Sequence, residues 1–160
     1  MILIMSAPDD NNSIVIRDPA AGDEPDWRRL WAGYNEFYEK QVEEPVTGAT
    51  WRRLLLKSDG LFGRIAVHDG AIAGFAACVL HAGTWTQQPI CYLEDLFVDP
   101  ALRGKGIGEA LIDDLIARAQ ELGWSRLYWH TRENNAVARR LYDKFAMADD
   151  FVRYRIVFDQ

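Results

Sequence analysis

The sequence predicts a single α/β (α+β) domain, with one mixed sheet covered by helices. Two observations lead there. Segments with an apolar period of 2 and segments with a period near 3.6 succeed one another in the order β-α-α-β-β-β-α-β-α-β, which suits a single sheet flanked by helices. No repeat, low-complexity tract or linker interrupts the 160 residues, a length that can bury one substantial core.

Taken in order, residues 1–12 end in Pro8-Asp9-Asp10-Asn11-Asn12 and are expected to form a loose tail, leaving residues 13–160 as the domain. Residues 13–17 alternate around Ile14 and Ile16 as a first strand. Asp23 is placed to cap a helix with Pro25 in its first turn and an inward stripe of Trp27, Leu30, Trp31, Tyr34 and Tyr38. Pro45 and Gly48 should break the chain before a second helix over residues 49–57. Asp69-Gly70 reads as a hairpin turn between strands 63–68 and 71–81. A polar segment, 83–89, precedes the central strand over 93–98, which Pro100 stops because proline cannot donate to a ladder. The next helix carries Ile107, Leu111, Leu115, Ala119 and Leu122 on one face. Residues 125–131 alternate as a strand, Asn134 is placed to cap a helix running to about Phe145, and residues 151–158 supply a final alternating strand.

Composition sets the outer bounds. A hydrophobic content of 49% with 26% charged residues is that of an ordinary globular protein. The formal charge of −6 argues against a general nucleic-acid binder and mildly favours cationic partners. Cys78 and Cys91 lie in apolar strands and point to buried free thiols, and two cysteines carry no metal signature. No run reaches membrane-spanning length, so no membrane partner is expected and the cytoplasm is the expected location.

The most informative stretch joins the central strand to the helix after it: Arg103-Gly104-Lys105-Gly106-Ile107-Gly108. Alternate glycines let the backbone turn tightly and approach a ligand closely. The first N–H groups of the following helix lack intrahelical partners and sit at the positive end of its dipole. With Arg103 and Lys105 beside them, these donors suit a polyphosphate. A Walker loop would need Gly-Lys followed by Ser or Thr, which is absent. A dinucleotide fingerprint would need a third glycine or alanine where Glu109 or Leu111 stands.

What remains, Arg103-x-x-Gly106-x-Gly108 after a strand ending Leu96-Phe97-Val98-Asp99-Pro100, resembles the acyl-CoA loop of the GNAT superfamily of N-acetyltransferases. A second match, Asn135-x-x-Ala138-x-x-Leu141-Tyr142-x-Lys144, is similar to the helix after that superfamily's fifth strand. The resemblance spans nearly the whole chain and implies a mixed, mostly antiparallel sheet splayed at its central strands. It also implies acetyl-CoA as cosubstrate, no metal, and transfer of the acetyl group to a primary amine by direct attack in a ternary complex. Position by position, Leu96, Phe97 and Val98 would offer backbone to the pantetheine arm in the manner of an added strand. Gly104, Lys105, Gly106, Ile107 and Gly108 would, with Arg103, hold the diphosphate, and Asn135 would contact the arm. A lysine-like amine titrates near 10.4, so stripping its proton at pH 7 costs roughly 4 to 5 kcal/mol. Glu94, beside the implied thioester, is the expected base, and Tyr142 matches the family's donor to the departing thiolate. Strand alternation puts Asp95 on the face opposite Glu94, so the two are not expected to act as a pair.

Tyr92 to Val98 is similar to a strand of spermidine/spermine acetyltransferases. The segments Trp27 to Glu39 and Thr84-Trp85 look like those of the yeast histone and polyamine acetyltransferase group. These likenesses imply a small cationic amine, an amino acid or a basic peptide as acceptor, and a homodimer. Tyr34, Tyr38 and Trp85 could hold an ammonium by cation–π contact, with Glu94 adding negative charge. Where the family closes its last helix with Gly-Phe, this chain has Ala146-Met147, which predicts an altered helix end because alanine disfavours positive φ. The competing readings are a non-catalytic acyl-CoA sensor and an interaction domain.

Overall fold

The computed structural model describes residues 13–158, and the expected tail over residues 1–12 lies outside them. The chain divides into two compact units, Met1–His130 and Thr131–Gln160.

Among the described residues, the first unit holds five strands and three α-helices: β1 (Ile14–Arg17), α1 (Glu24–Phe37), α2 (Glu44–Leu56), β2 (Leu61–His68), β3 (Ala71–Gly83), β4 (Thr86–Val98), α3 (Ile107–Leu122) and β5 (Arg126–Trp129). The strands lie in sequence order, antiparallel from β1 to β4, with β5 parallel to β4. A short loop can join antiparallel neighbours, whereas the parallel pair needs the crossover that α3 provides. The β2–β3 turn has Asp69 and Gly70 at φ 50° and 78°, the left-handed pair that matches strand twist in a tight hairpin.

Trp27, Leu30 and Tyr34 of α1 and Trp51 and Leu54 of α2 bury against Ile65, Phe75, Ala77 and Phe97 on one face of the sheet. Trp27 stacks on Trp31 with centroids 5.5 Å apart, and Trp31 on Tyr34 at 5.6 Å. Such ring pairs add about 0.5–1.5 kcal/mol beyond their area. On the other face lie Ile107, Leu111, Ile112 and Leu115 of α3, all essentially inaccessible. There the buried guanidinium of Arg64 reaches both carboxylate oxygens of Asp114, at 2.7 and 2.8 Å, and also pairs with Asp18. Cys78 and Cys91 are buried free thiols.

Several boundaries differ from the sequence expectation. Pro45 opens α2 instead of breaking the chain, because the first turn of a helix has no use for its missing N–H. Asp23 precedes α1 but does not cap it; its carboxylate accepts from Arg17 at 2.6 and 2.9 Å and from the Ala20 N–H at 2.7 Å. The polar segment 83–89 extends the β3–β4 hairpin instead of looping out.

The second unit contains α4 (Ala136–Tyr142). Asn135, not Asn134, caps it, its Oδ1 accepting from the Ala138 N–H at 3.3 Å. The helix closes on Lys144 N–H to Leu141 and Phe145 N–H to Tyr142, at 3.2 and 2.9 Å, and Ala146 has no left-handed backbone. The final strand expected at 151–158 does not form, so the element order ends with α4. Its apolar residues, among them Phe151, Tyr154, Ile156 and Phe158, are all exposed. Alternation becomes a strand only when one face is buried and the backbone finds a ladder, and this segment has neither.

Candidate active site

The β3–β4 ladder slips twice, between His81 and Gly83 near the turn and between Ala77 and Cys78 further along. Ala77 pairs with Asp95 and Cys78 with Leu93, so Glu94 is an extra residue in β4. A bulge of this kind breaks alternation. Upstream, Cys91 and Leu93 share the α3 face with Leu80 and Cys78; downstream, Asp95 and Phe97 share the α1 face with Ala77 and Phe75. The regular alternation on which Asp95 was expected to face away from Glu94 is therefore interrupted between the two residues. Both carboxylates act on the Tyr34 phenol, which also donates to Asp95. Burial is the first cause of a raised Asp95 pKa, about 6; Glu94 adds to it, while the Tyr34 hydrogen bond and Lys40 oppose it. Burial and then the Asp95 charge push the Tyr34 phenol up as well.

Tyr34 is buried, and its ring lies 4.8 Å from that of Tyr38 and 6.2 Å from that of Phe97, edge to face. Glu94 is exposed. Trp85 stands apart from this group: it is 91% exposed, in the turn between β3 and β4 and ten residues down the strand from Asp95.

Beside the bulge, β4 and β5 pair only from Ile90↔Arg126 to Leu93↔Trp129. From Glu94 through Leu96, Phe97 and Val98 the β5 side of the strand carries no ladder, a backbone edge of the kind an extended ligand can use. The strand then runs through a 3-10 turn, Pro100–Leu102, into the glycine loop. Gly104 and Gly106 have φ of 78° and 82°, and an added Cβ at either would meet nothing within 4 Å. Conformation, not crowding, thus requires glycine there, and the loop is open above them. Gly106 ends the loop directly before α3, whose first helical bond is Ala110 N–H to Gly106 at 2.9 Å. The N–H groups of Ile107, Gly108 and Glu109 precede that bond at the helix's positive end. The guanidinium of Arg103 sits 5.7 Å from the Phe97 ring centroid. The α1 helix approaches closely because residue 33 is glycine; a Cβ there would come 3.0 Å from the Phe97 ring. Open amides, an adjacent arginine and Lys105 fit a diphosphate.

The family model of the acetyltransferase (GNAT) family matches residues 25–147. The chain belongs to the GNAT acetyltransferase family. It is 33% identical over 147 residues to the D-amino-acid N-acetyltransferase HPA3 of Saccharomyces cerevisiae, covering 91% of each chain. Over 114 residues it is 39% identical to the ribosomal protein bS18-alanine N-acetyltransferase of Haemophilus ducreyi, covering 69% of this chain and 72% of that one. Among solved structures, the ribosomal-protein-alanine N-acetyltransferase of Brucella melitensis biovar Abortus 2308 superposes with a TM-score of 0.78 at 27% identity, over 91% of this chain and all of that one. As a GNAT acetyltransferase, the chain is read as an enzyme of N-acetyl transfer.

In the second unit, Asn135 spends both ends of its amide locally, on the Ala138 N–H and on the Thr131 hydroxyl at 3.2 Å. Tyr142 is the last residue of α4. Sequence reasoning missed Asp95, Lys40 and the bulge. The adjacent acids Glu94-Asp95 were visible, but the slip that leaves Glu94 outside the ladder beside Asp95 was not.

Proposed function

We propose that the protein transfers the acetyl group of acetyl-CoA to the primary amine of a small acceptor by direct attack. The observation carrying this reading is the unpaired edge of β4, which leads from Glu94 straight into the open glycine loop. A thioester whose diphosphate lay on that loop and whose arm lay along residues 96–98 would put its acetyl carbon beside Glu94. Glu94 takes a proton from the acceptor's ammonium, the amine attacks the carbonyl carbon, a C–N bond forms and the C–S bond breaks. The departing sulfur receives a proton from Tyr142, a role assigned by family resemblance, and the same resemblance has Asn135 touch the coenzyme arm.

Tyr34 acts through Asp95, and Tyr38 lines the approach beside it; Trp85 is kept as an acceptor contact on resemblance alone. HPA3's substrate class, together with the Lys40 charge that acts on Asp95, favours an amino acid over a polyamine, since Lys40 can face the acceptor's carboxylate. The reading also includes a homodimer in the cytoplasm; among the described residues no helix is long and apolar enough to cross a membrane, and no group of residues suits a metal. Thiol release from acetyl-CoA on adding amino acids, polyamines or basic peptides tests it. Release should require the amine, and Glu94→Gln should lower kcat by about 100-fold or more while sparing coenzyme binding. Coenzyme binding without turnover on any amine would instead identify a sensor.

A further inference from the structure

Acetyl transfer to an amine removes two protons from one nitrogen. The first leaves the ammonium and frees the lone pair; the second leaves once nitrogen is bonded to the acetyl carbon. One of them is balanced by the proton that the sulfur gains, and the other is released, so an ammonium and a thioester give an amide, a thiol and one free proton. Glu94 can hold only one proton at a time.

The sheet offers a second acceptor at the same level. Because β4 and β5 are parallel and in register up to Leu93↔Trp129, the step at which they part is flanked by Glu94 on one strand and His130 on the other. His130 is exposed, yet its ring is held. Its Nδ1 lies 3.2 Å from the Tyr92 hydroxyl, and the two rings meet edge to face at 5.3 Å. Tyr128 stacks on Tyr92 at 5.0 Å and also meets His130 edge to face at 5.8 Å. His81 Nε2 in turn sits 3.0 Å from the Tyr128 hydroxyl. Four rings from three adjoining segments of the sheet thus form one strip, and the ladder puts Tyr92 on the face that Asp95 and Phe97 share.

We propose that His130 is a second proton acceptor of the reaction, taking the proton that leaves the acceptor nitrogen as the amide forms, with Tyr92 as the residue that positions its imidazole. With Nδ1 engaged by the phenol, Nε2 is the nitrogen that exchanges the proton, and exposure lets it pass on to water. Imidazole is suited to this because it exchanges protons near neutral pH. The titratable and charged groups around it are Glu94 and Tyr92 on β4, Tyr128 and Arg126 on β5, and His81 on β3. The proposal rests on Glu94 being the first acceptor.

The test compares wild type, Glu94→Gln, His130→Gln, His130→Ala and Tyr92→Phe by acetyl-CoA thiol release. Two acceptors of similar shape are used, one strongly basic and one already unprotonated at neutral pH. The weak base needs no first deprotonation but must still lose its second proton. Glu94→Gln should therefore be rescued by the weakly basic acceptor. His130→Gln should lose on the order of 100-fold in kcat with both, at unchanged KM for the coenzyme. Added imidazole should restore part of the activity of His130→Ala, and Tyr92→Phe should lose several-fold, which a merely structural histidine would not predict. Wild-type kcat and pH profile in His130→Gln, or no response of His130→Ala to imidazole, would overturn the proposal while leaving Glu94 standing. A wild-type protein that releases no thiol with any amine would overturn the Glu94 reading and this one with it.

Discussion

Replacing Asp95 with Asn should make the protein more stable at neutral pH. The folded carboxyl keeps its proton to about pH 6 against an ordinary 3.8, chiefly because burial disfavours its charge. The folded state therefore binds more protons than the unfolded chain between those values, and stability falls as pH rises through that window. Above about 6 the full penalty applies; below 3.8 it vanishes. At 1.36 kcal/mol per tenfold change in acidity, the penalty is about 3 kcal/mol, an upper figure for a partly solvated group. Asn keeps an acceptor for the Tyr34 hydroxyl while removing the charge. In a chain of this size 1 kcal/mol corresponds to roughly 2–4 °C, so Asp95→Asn should melt up to about 6–12 °C above wild type near neutral pH. Near pH 4 the two should melt together. Comparing the pair by calorimetry cancels the opposite pH dependence of Asp18, Asp23 and Asp99, whose carboxyls are held below their ordinary range. A variant that melts lower than wild type at neutral pH, or a difference that ignores pH, would refute a buried charge at residue 95.

Other outcomes follow from the same geometry. Tyr34→Phe removes a hydrogen bond that favours ionised Asp95, so a carboxyl-carbon NMR titration should place the Asp95 midpoint above its wild-type value of about 6. Gly106→Ala forces a Cβ onto a residue at φ 82° and should weaken coenzyme binding by about 5- to 30-fold, the equivalent of roughly 1–2 kcal/mol of left-handed strain, as read by isothermal titration. Arg64→Ala strands the half-buried Asp114 carboxylate and should cost up to about 3–5 kcal/mol in denaturant unfolding.

The glycine loop was legible in the sequence because it depends on local backbone: Gly104 and Gly106 need positive φ whatever surrounds them. The aromatic stripe of α1 was legible for a similar reason, since its period fixes its face before any partner is known. Asp23 and Pro45 misled because each residue type serves two ends; an aspartate near a helix start can cap it or, as here, bind Arg17. The bulge at Glu94 was invisible, because a slip in pairing belongs to two strands at once and leaves no mark on one. The missing strand at 151–158 has the same root, since alternation records a capacity to pair and not the presence of a partner.

That single extra residue acts as a phase switch for everything after it in β4. Tyr92 shares a face with residues 95 and 97, and Leu93 with none of them. Drawing residue 94 into the ladder as an ordinary member would turn Leu96 and Val98 inward toward Tyr34 and the Phe97 ring toward α3, whereas excising it would leave those faces as they are. Redesign of acceptor preference must therefore keep residue 94 out of the ladder, because its pairing decides which wall of the molecule each later residue serves.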